Sequence, residues 1–306
     1  MSARSFLIVG CTVCTTLAVA SVAACGSGGA GAGASNTPAS PQSSSSVPSV
    51  SSAPSTAPTP PGSSQTTAAP PRKSSSPAPP RTTSRPAPPS TSAPFPARLA
   101  GTDWERIPTS RHVVALTFDA GANADGVSSI LGTLRTEGVP ATFFLTGDFV
   151  DQFPAAARQI ASAQRVGNHS MDHPYFTALT RAQIVSELTL ARAAIGSVTG
   201  ADPRPWFRFP FGDRNSATIG AVNAAGYVPV RWTVDSLGWK GTSGGITAQI
   251  VRDRVVGALQ PGEIVLMHCG SNPTDHTTLD AAALGGIIQT LKARGYGFVT
   301  LDALLN

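Results

Sequence analysis

Short apolar runs rich in Val, Phe and Thr alternate with longer segments of helical periodicity from Val113 onward. This alternation is typical of α/β folds. It predicts strands over 113–118, 141–146, 165–169, 206–210, 227–233, 263–268 and 297–301, separated by helices over about 126–137, 150–163, 180–198, 216–225, 246–258 and 278–293. A single, distorted parallel (β/α)7-type barrel accounts for this order better than an open sheet.

The first 25 residues have a different pattern. A sparse basic start at Arg4 precedes an apolar run over 6–20 and small residues that end at Cys25. This arrangement predicts an export signal rather than a membrane span. The segment Val22-Ala23-Ala24-Cys25 also resembles a bacterial lipobox, in which the cysteine becomes acylated and anchors the protein to the membrane. An ordinary secretory signal that contains a cysteine is the alternative.

Residues 26–102 are dominated by Ser, Thr, Pro, Ala and Gly. Such a segment cannot bury enough apolar surface to offset its ordering entropy, so a disordered linker is predicted. A single folded domain is then expected over 103–306. Six of the 22 Lys and Arg residues and none of the 17 acids lie in residues 1–102, so the domain has 22 − 6 = 16 bases and a charge near −1. This balance gives no support to nucleic-acid binding.

Polar side chains gather where five of the predicted strands end: Asp119 after the first, His169 at the third, Arg208 within the fourth, Asp235 after the fifth and His268 at the sixth. In parallel β/α folds the carboxyl ends of the strands carry the active site, so these five residues are expected to converge. Asp119 could take a proton from an attacking water molecule. His169 and His173 stand four residues apart, a spacing at which two imidazoles can share a metal ion. Cys269, the one cysteine after Cys25, is predicted to be a buried structural thiol.

Five motifs then appear in a family's order: Thr117–Gly121, His169–Pro174, Arg208–Gly212, Asp235–Trp239 and Leu266–His268. Over residues 111 to 303 the chain resembles the polysaccharide deacetylases of the NodB-homology type, carbohydrate esterase family 4. The resemblance implies a distorted barrel, commonly of seven strands, and metal-assisted hydrolysis of N-acetyl groups on a glucosamine-type polymer. The metal would be a divalent ion, with zinc expected and cobalt or nickel as alternatives.

The resemblance also implies a role for each matching residue. Asp119 corresponds to the catalytic base, Arg208 to the arginine that orients it, and His268 to the general acid. His169 and His173 correspond to metal ligands. The backbone N–H of Phe211 would bind the oxyanion, and Trp239 and Leu266 would line the pocket for the acetyl methyl group.

Two positions depart from the family pattern. Ala120 stands where the family usually has a third, acidic metal ligand, and we predict that Asn123 replaces it, with Asp125 or water as alternatives. Gly238 stands where many members carry the acid that orients the catalytic histidine. Either Asp235 or Asp275 is predicted to orient His268 instead.

The sequence thus predicts an exported, monomeric, lipid-anchored deacetylase at the outer face of the membrane or in the cell wall, acting on peptidoglycan. Its exact polymer is left open between the GlcNAc and MurNAc units of peptidoglycan, chitin and acetylxylan. The alternative is a carbohydrate-binding cell-wall lipoprotein weakened by Ala120 and Gly238. A third reading, in which the linker is the main functional element, is disfavoured by the five ordered motifs.

Overall fold

The computed structural model describes residues 95–306. The predicted export signal, Cys25 and all but the last residues of the predicted linker lie outside this part of the chain, so those predictions stay untested. None of the helices in the described part is long and apolar enough to cross a membrane.

Eight strands and seven α-helices alternate along the described residues. The strands are β1 Val113–Ala120, β2 Ala141–Leu145, β3 Arg165–Asn168, β4 Trp206–Phe207, β5 Val228–Pro229, β6 Val234–Asp235, β7 Glu263–His268 and β8 Gly297–Phe298. The helices are α1 Val127–Glu137, α2 Gly147–Gln152, α3 Pro154–Ala163, α4 Arg181–Thr199, α5 Ser216–Ala224, α6 Ala248–Gly257 and α7 Leu279–Ala293.

The eight strands form one sheet in which every strand pair is parallel. The strand order is β5-β4-β3-β2-β1-β7-β6, and β8 pairs with β1. The prediction of a distorted parallel barrel is confirmed. Strand β1 lies near the centre, and its register pairs Asp119 with Phe144 on one side and with His268 on the other. The sheet therefore places the first and last sequence motifs next to each other.

The two faces of β1 separate the outer core from the site. Leu116, Phe118 and Ala120 point outward and pack into the apolar cluster that the helices cover. Thr117 and Asp119 belong to the opposite set, because successive side chains of a strand point to opposite faces. Burying each large apolar side chain stabilises the fold by about 1.5–3 kcal/mol, so the outer set holds β1 in this orientation.

Three predicted strands are longer than the strands observed. The run 227–233 is a strand only over Val228–Pro229, because Arg231 donates its backbone N–H to Trp104 rather than to a strand, and β6 follows this run. The run 206–210 is a strand only over Trp206–Phe207 and is followed by a 3₁₀-helix over Pro210–Gly212. The run 297–301 is a strand only over Gly297–Phe298 and then turns into a 3₁₀-helix over Leu301–Leu304. Eight short strands are therefore present in the described residues where seven were predicted.

The folded domain also begins earlier than predicted. Phe95 and Leu99 are buried in a second apolar cluster with Trp206 and Leu301. The segment from Trp104 to Ile107 then crosses between β5 and β7, with hydrogen bonds from Trp104 to Pro229 and from Ile107 to Gly262. The boundary at 102 was misplaced because two isolated apolar residues carry no periodicity within a Pro-rich segment.

Candidate active site

A cleft of about 680 Å³ opens at the carboxyl ends of the strands. Eight of the predicted site residues line it, namely Asp119, His169, His173, Phe211, Asp235, Trp239, Leu266 and His268. Arg208 lies beneath the cleft, completely buried. The structure thus brings together residues from all five sequence motifs.

Arg208 and Asp119 form a buried ion pair, with 2.8 Å between Arg208 Nη1 and Asp119 Oδ1. The remaining donors of Arg208 reach the Thr117 hydroxyl and the backbone carbonyls of Val230 and Arg231. Burial alone would raise the pKa of Asp119, but Arg208 and then His169 lower it more, so the pKa lies below its usual value. Asp119 is therefore ionised, and Oδ2 is left without a bond from the guanidinium.

His169 follows β3 and has the tautomer that a metal ligand needs. Its Nδ1 lies 2.9 Å from the carbonyl oxygen of Arg208, so Nδ1 donates its hydrogen there. The Nε2 lone pair is then free, 3.4 Å from Asp119 Oδ2. Burial lowers the pKa of His169, which keeps the ring neutral. A neutral imidazole with a fixed second nitrogen is the form that binds metal ions.

His173 meets His169 edge to face, with 4.8 Å between the ring centroids. Burial, followed by the neighbouring His169, lowers the pKa of His173 to about 4. Both rings are consequently neutral at physiological pH. The two imidazoles predicted to share a metal ion lie side by side in the cleft.

Three residues beside the cleft have a left-handed backbone, with φ of 71° at Ser170, 63° at His173 and 57° at Phe211. Such conformations are disfavoured for residues other than glycine and often occur at functional sites. The Phe211 ring stacks on Tyr175 at 4.2 Å and contacts His173 edge-on at 4.4 Å. The Phe211 N–H has no hydrogen-bond acceptor among residues 95–306, so it can donate to a ligand.

His268 ends β7 and is backed by a residue that the sequence motifs do not contain. The His268 backbone N–H donates to Asp280 Oδ2 at 2.8 Å, and the same oxygen lies 3.8 Å from His268 Nδ1. Burial lowers the pKa of His268, but Asp280, Asp119 and Asp235 raise it more, so the pKa lies above its usual value.

Asp235 and Asp275, the two predicted partners of His268, are bonded elsewhere. Asp235 accepts from the Leu237 N–H and from Trp239 Nε1. Asp275 accepts from residues 242, 243 and 277 at the rim of the domain. Neither carboxylate is hydrogen-bonded to His268.

Trp239 and Leu266 lie where the sequence placed them, on the cleft wall. Trp239 is 47% exposed, and its ring centroid lies 6.4 Å from that of His268. Leu266 is only 3% exposed and faces the same space. Asp235 holds the Trp239 indole rather than contacting the reacting groups through a hydrogen bond.

The hydrogen bonds of the Asn123 side chain do not support its predicted role as the third metal ligand. Its Oδ1 accepts from the backbone N–H groups of Ser271 and Asp125, and its Nδ2 donates to the Ser271 carbonyl. Asp125 in turn accepts from the Ser271 hydroxyl. Both side chains therefore hold the loop after β7, and Ala120 packs in the outer core.

Residues 95–306 contain no group of three or more His, Cys, Asp or Glu side chains arranged to hold a metal ion. The pair His169 and His173 nevertheless fits a divalent cation chemically, because both rings are neutral and His169 presents Nε2 to the cleft. Two imidazoles would leave the rest of the shell to water or substrate, the third of the alternatives considered for Ala120.

Sequence reasoning missed four residues of the site. Thr117 and Asp280 contact the predicted residues, while Tyr175 stacks on Phe211 and Asp148 lines the cleft. Thr117 could have been found from the strand period, since it shares the inward face of β1 with Asp119. Asp280 has no such signal, because it reaches His268 from the start of helix α7.

Comparisons with known proteins agree with this geometry. Residues 106–230 match the family model for polysaccharide deacetylases. A peptidoglycan-N-acetylglucosamine deacetylase of Bacillus cereus is 31% identical over 200 residues, covering 65% of this chain and 70% of that protein. A family 4 carbohydrate esterase from Streptomyces lividans is 32% identical with a TM-score of 0.55, covering 64% of this chain and 95% of the other.

A family 4 pseudoenzyme from Bacillus anthracis is also similar, with 30% identity, a TM-score of 0.60, and coverage of 66% of this chain and 68% of that one. The range matched by the family model contains the first three of the five motifs. The chain therefore belongs to the polysaccharide deacetylases, carbohydrate esterase family 4, as its motif order predicted.

Proposed function

We propose that this chain is a metal-dependent hydrolase that removes N-acetyl groups from a GlcNAc-type polysaccharide, with peptidoglycan as its polymer, and releases acetate. The observation that carries the proposal is the placement of an ionised Asp119, held by Arg208, in one cleft with His268, its register partner on β7. A base and an acid within one cleft are what amide hydrolysis requires. The B. cereus relative supports peptidoglycan as the polymer.

In this mechanism Asp119 removes a proton from the attacking water molecule. Its Oδ1 is held by Arg208, so Oδ2 is the oxygen that can accept the proton. A divalent cation on His169 and His173 would polarise the water and the acetamide carbonyl. Imidazole ligands suit zinc and nickel, and zinc is the metal we propose.

The tetrahedral oxyanion would be bound by the Phe211 N–H, the free donor next to His173. His268 would then protonate the departing glucosamine nitrogen. Its raised pKa suits this step, because a general acid must carry its proton at working pH. The N-acetyl methyl group would lie against Leu266 and Trp239.

We further propose that the enzyme is exported and lipid-anchored through Cys25, acting as a monomer on the cell wall. The Ser- and Pro-rich segment 26–102 would separate the domain from the membrane and let it reach the polymer. A carbohydrate-binding lipoprotein is the second candidate function, because Ala120 supplies no metal ligand and one similar structure is that of a pseudoenzyme.

The test is acetate release by the whole chain from peptidoglycan and from N-acetylglucosamine oligomers, after chelation and after return of zinc or cobalt. We expect release that depends on the metal and falls by roughly 100-fold or more in Asp119→Asn and His169→Ala. Asp253→Asn, an exposed substitution on α6, is the matched control and should keep full activity. A folded chain that binds polymer without releasing acetate would establish the binding protein instead.

A further inference from the structure

The side of His268 that faces away from the cleft contains two buried polar atoms without partners. His268 Nδ1 and Asp280 Oδ1 are both buried and make no hydrogen bond within the described residues. Asp280 Oδ2 lies 3.8 Å from Nδ1, a distance at which opposite charges attract but no hydrogen bond forms. One is a ring nitrogen that can donate and the other a carboxylate oxygen that accepts, so each supplies what the other lacks.

The backbone holds the Asp280 carboxylate in this place. Asp280 is the second residue of α7 and only 3% exposed, and its Oδ2 accepts the His268 backbone N–H at 2.8 Å. Negative charge at a helix N-terminus is also favoured by the helix dipole. The carboxylate is therefore held beside His268, with Oδ2 3.8 Å from Nδ1.

The glycine at position 238 is a second, independent indication that this space is reserved for the Asp280 carboxyl group. A β-carbon built on Gly238 would overlap all three atoms of the Asp280 carboxyl group. The φ of Gly238 is not in the left-handed region, so backbone conformation does not explain the glycine. Lack of space explains the glycine, because the Asp280 carboxyl group fills the volume that a side chain at position 238 would occupy.

We propose that Asp280 is the positioning residue for His268, and that it supplies from helix α7 the carboxylate that the family pattern would place at position 238. The inference rests on the proposed function, in which His268 acts on the leaving amine. Positions 238 and 280 share one carboxylate-sized volume, so only one of them can carry the acid.

A carboxylate at Nδ1 has two consequences for His268. It keeps the Nδ1 hydrogen in place, which leaves Nε2 as the nitrogen that faces the cleft. It also favours the protonated ring. Asp119 on β1 and Asp235 on β6 act in the same direction from farther away, while His169 and His173 line the same cleft as His268.

The experiment measures the His268 pKa by NMR titration of the histidine rings in the whole chain, with the signals assigned through His268→Gln. We expect Asp280→Asn to lower the pKa of His268 by about one unit, a tenfold loss of proton affinity. Acetate release should fall by on the order of 100-fold, and its alkaline limb should move to lower pH. The exposed Asp253→Asn should change neither the pKa nor the profile.

The deciding variant is a double substitution, Gly238→Asp together with Asp280→Ala, which moves the carboxylate from position 280 to position 238. We expect it to restore most of the His268 pKa and of the acetate release that Asp280→Ala alone loses. Gly238→Asp alone should be destabilised, because two carboxylates would then occupy one volume. An exchange variant that fails to fold, or that folds without recovering the pKa, would overturn the proposal.

The NMR readout separates this inference from the proposed function. If the unchanged chain releases no acetate from any polymer, the deacetylase proposal fails, whereas the titration still shows whether Asp280 controls His268. An unchanged His268 pKa in a folded Asp280→Asn chain would reject the positioning role even in an active enzyme.

Discussion

Glu263 and Asp119 are both carboxylates buried under the same sheet, yet their surroundings differ completely. Asp119 faces Arg208 and two histidines, which hold its pKa below the usual value. Glu263, at the start of β7, has one oxygen without a partner and a single 3.3 Å bond from the Gln260 N–H. Burial therefore raises the pKa of Glu263 to about 7.

This pKa makes the stability of the domain depend on pH. The folded chain binds a proton at Glu263 that the unfolded chain releases above its pKa of 4.5, so the free energy of unfolding falls as pH rises from about 4.5 to 7. The full effect is about 3 kcal/mol, from a shift of roughly 2.5 units. Glu263→Gln should remove this part of the dependence and be the more stable chain at pH 8.

Urea unfolding of both chains between pH 4.5 and pH 8 measures the difference. Asp253→Asn, a neutralised carboxylate on the exposed side of α6, serves as the control and should keep the slope of the unchanged chain. Parallel curves for Glu263→Gln and the unchanged chain would contradict the prediction.

At the scale of elements, two loops rather than the strands bring Phe211 to the histidines. One follows β3 and carries His173 and Tyr175, and the other follows β4 and carries Phe211. The rings of Tyr175 and Phe211 stack with an interplanar angle of 16°, and Phe211 also contacts His173. This stack braces a left-handed Phe211 whose N–H is free.

Removing the outer ring should therefore lower catalysis more than stability. Tyr175 is 58% exposed, so Tyr175→Ala leaves no buried cavity and should change the free energy of unfolding by less than about 1 kcal/mol. A donor displaced by even part of an ångström weakens catalysis, and we expect kcat/KM for acetate release to fall about tenfold or more. Tyr175→Phe keeps the stacking surface and should retain activity; equal losses in both variants would implicate the hydroxyl instead.

At the scale of the whole molecule, the ends of the described chain cover the barrel floor. Leu99 from the N-terminal segment packs with Trp206 and with Leu301 and Leu304 near the C-terminus. The segment Trp104–Ile107 joins the β5 side to the β7 side, where β5 and β6 are not paired with each other. Residues before 103 thus belong to the fold.

Leu99→Ala should consequently destabilise the domain by about 2–4 kcal/mol, through lost burial and a residual cavity. Leu190→Ala is the matched control, because Leu190 on α4 is 53% exposed. This substitution should change the free energy of unfolding by less than about 0.5 kcal/mol. Urea unfolding of the two variants gives the comparison. Similar small changes in both would mean that residues 95–102 add nothing to stability.

Local patterns were enough for much of the site. The strand period places Thr117 and Asp119 on one face of β1 and Ala120 on the other, and it depends only on neighbouring residues. Strand ends identified Asp119, His169, Arg208 and His268, because parallel strands share one functional edge. The motif order named the family and the roles these residues are proposed to take.

Tertiary structure decided which side chains meet from different elements. The sequence alone offered Asp235 or Asp275 for His268, but helix α7 packs so that Asp280 lies there and Gly238 makes room. Asn123 holds Ser271 instead of facing the cleft, and Phe95 and Leu99 join a core formed by segments far along the chain. These contacts follow from how helices and loops pack on the sheet, a property that periodicity along the chain does not contain.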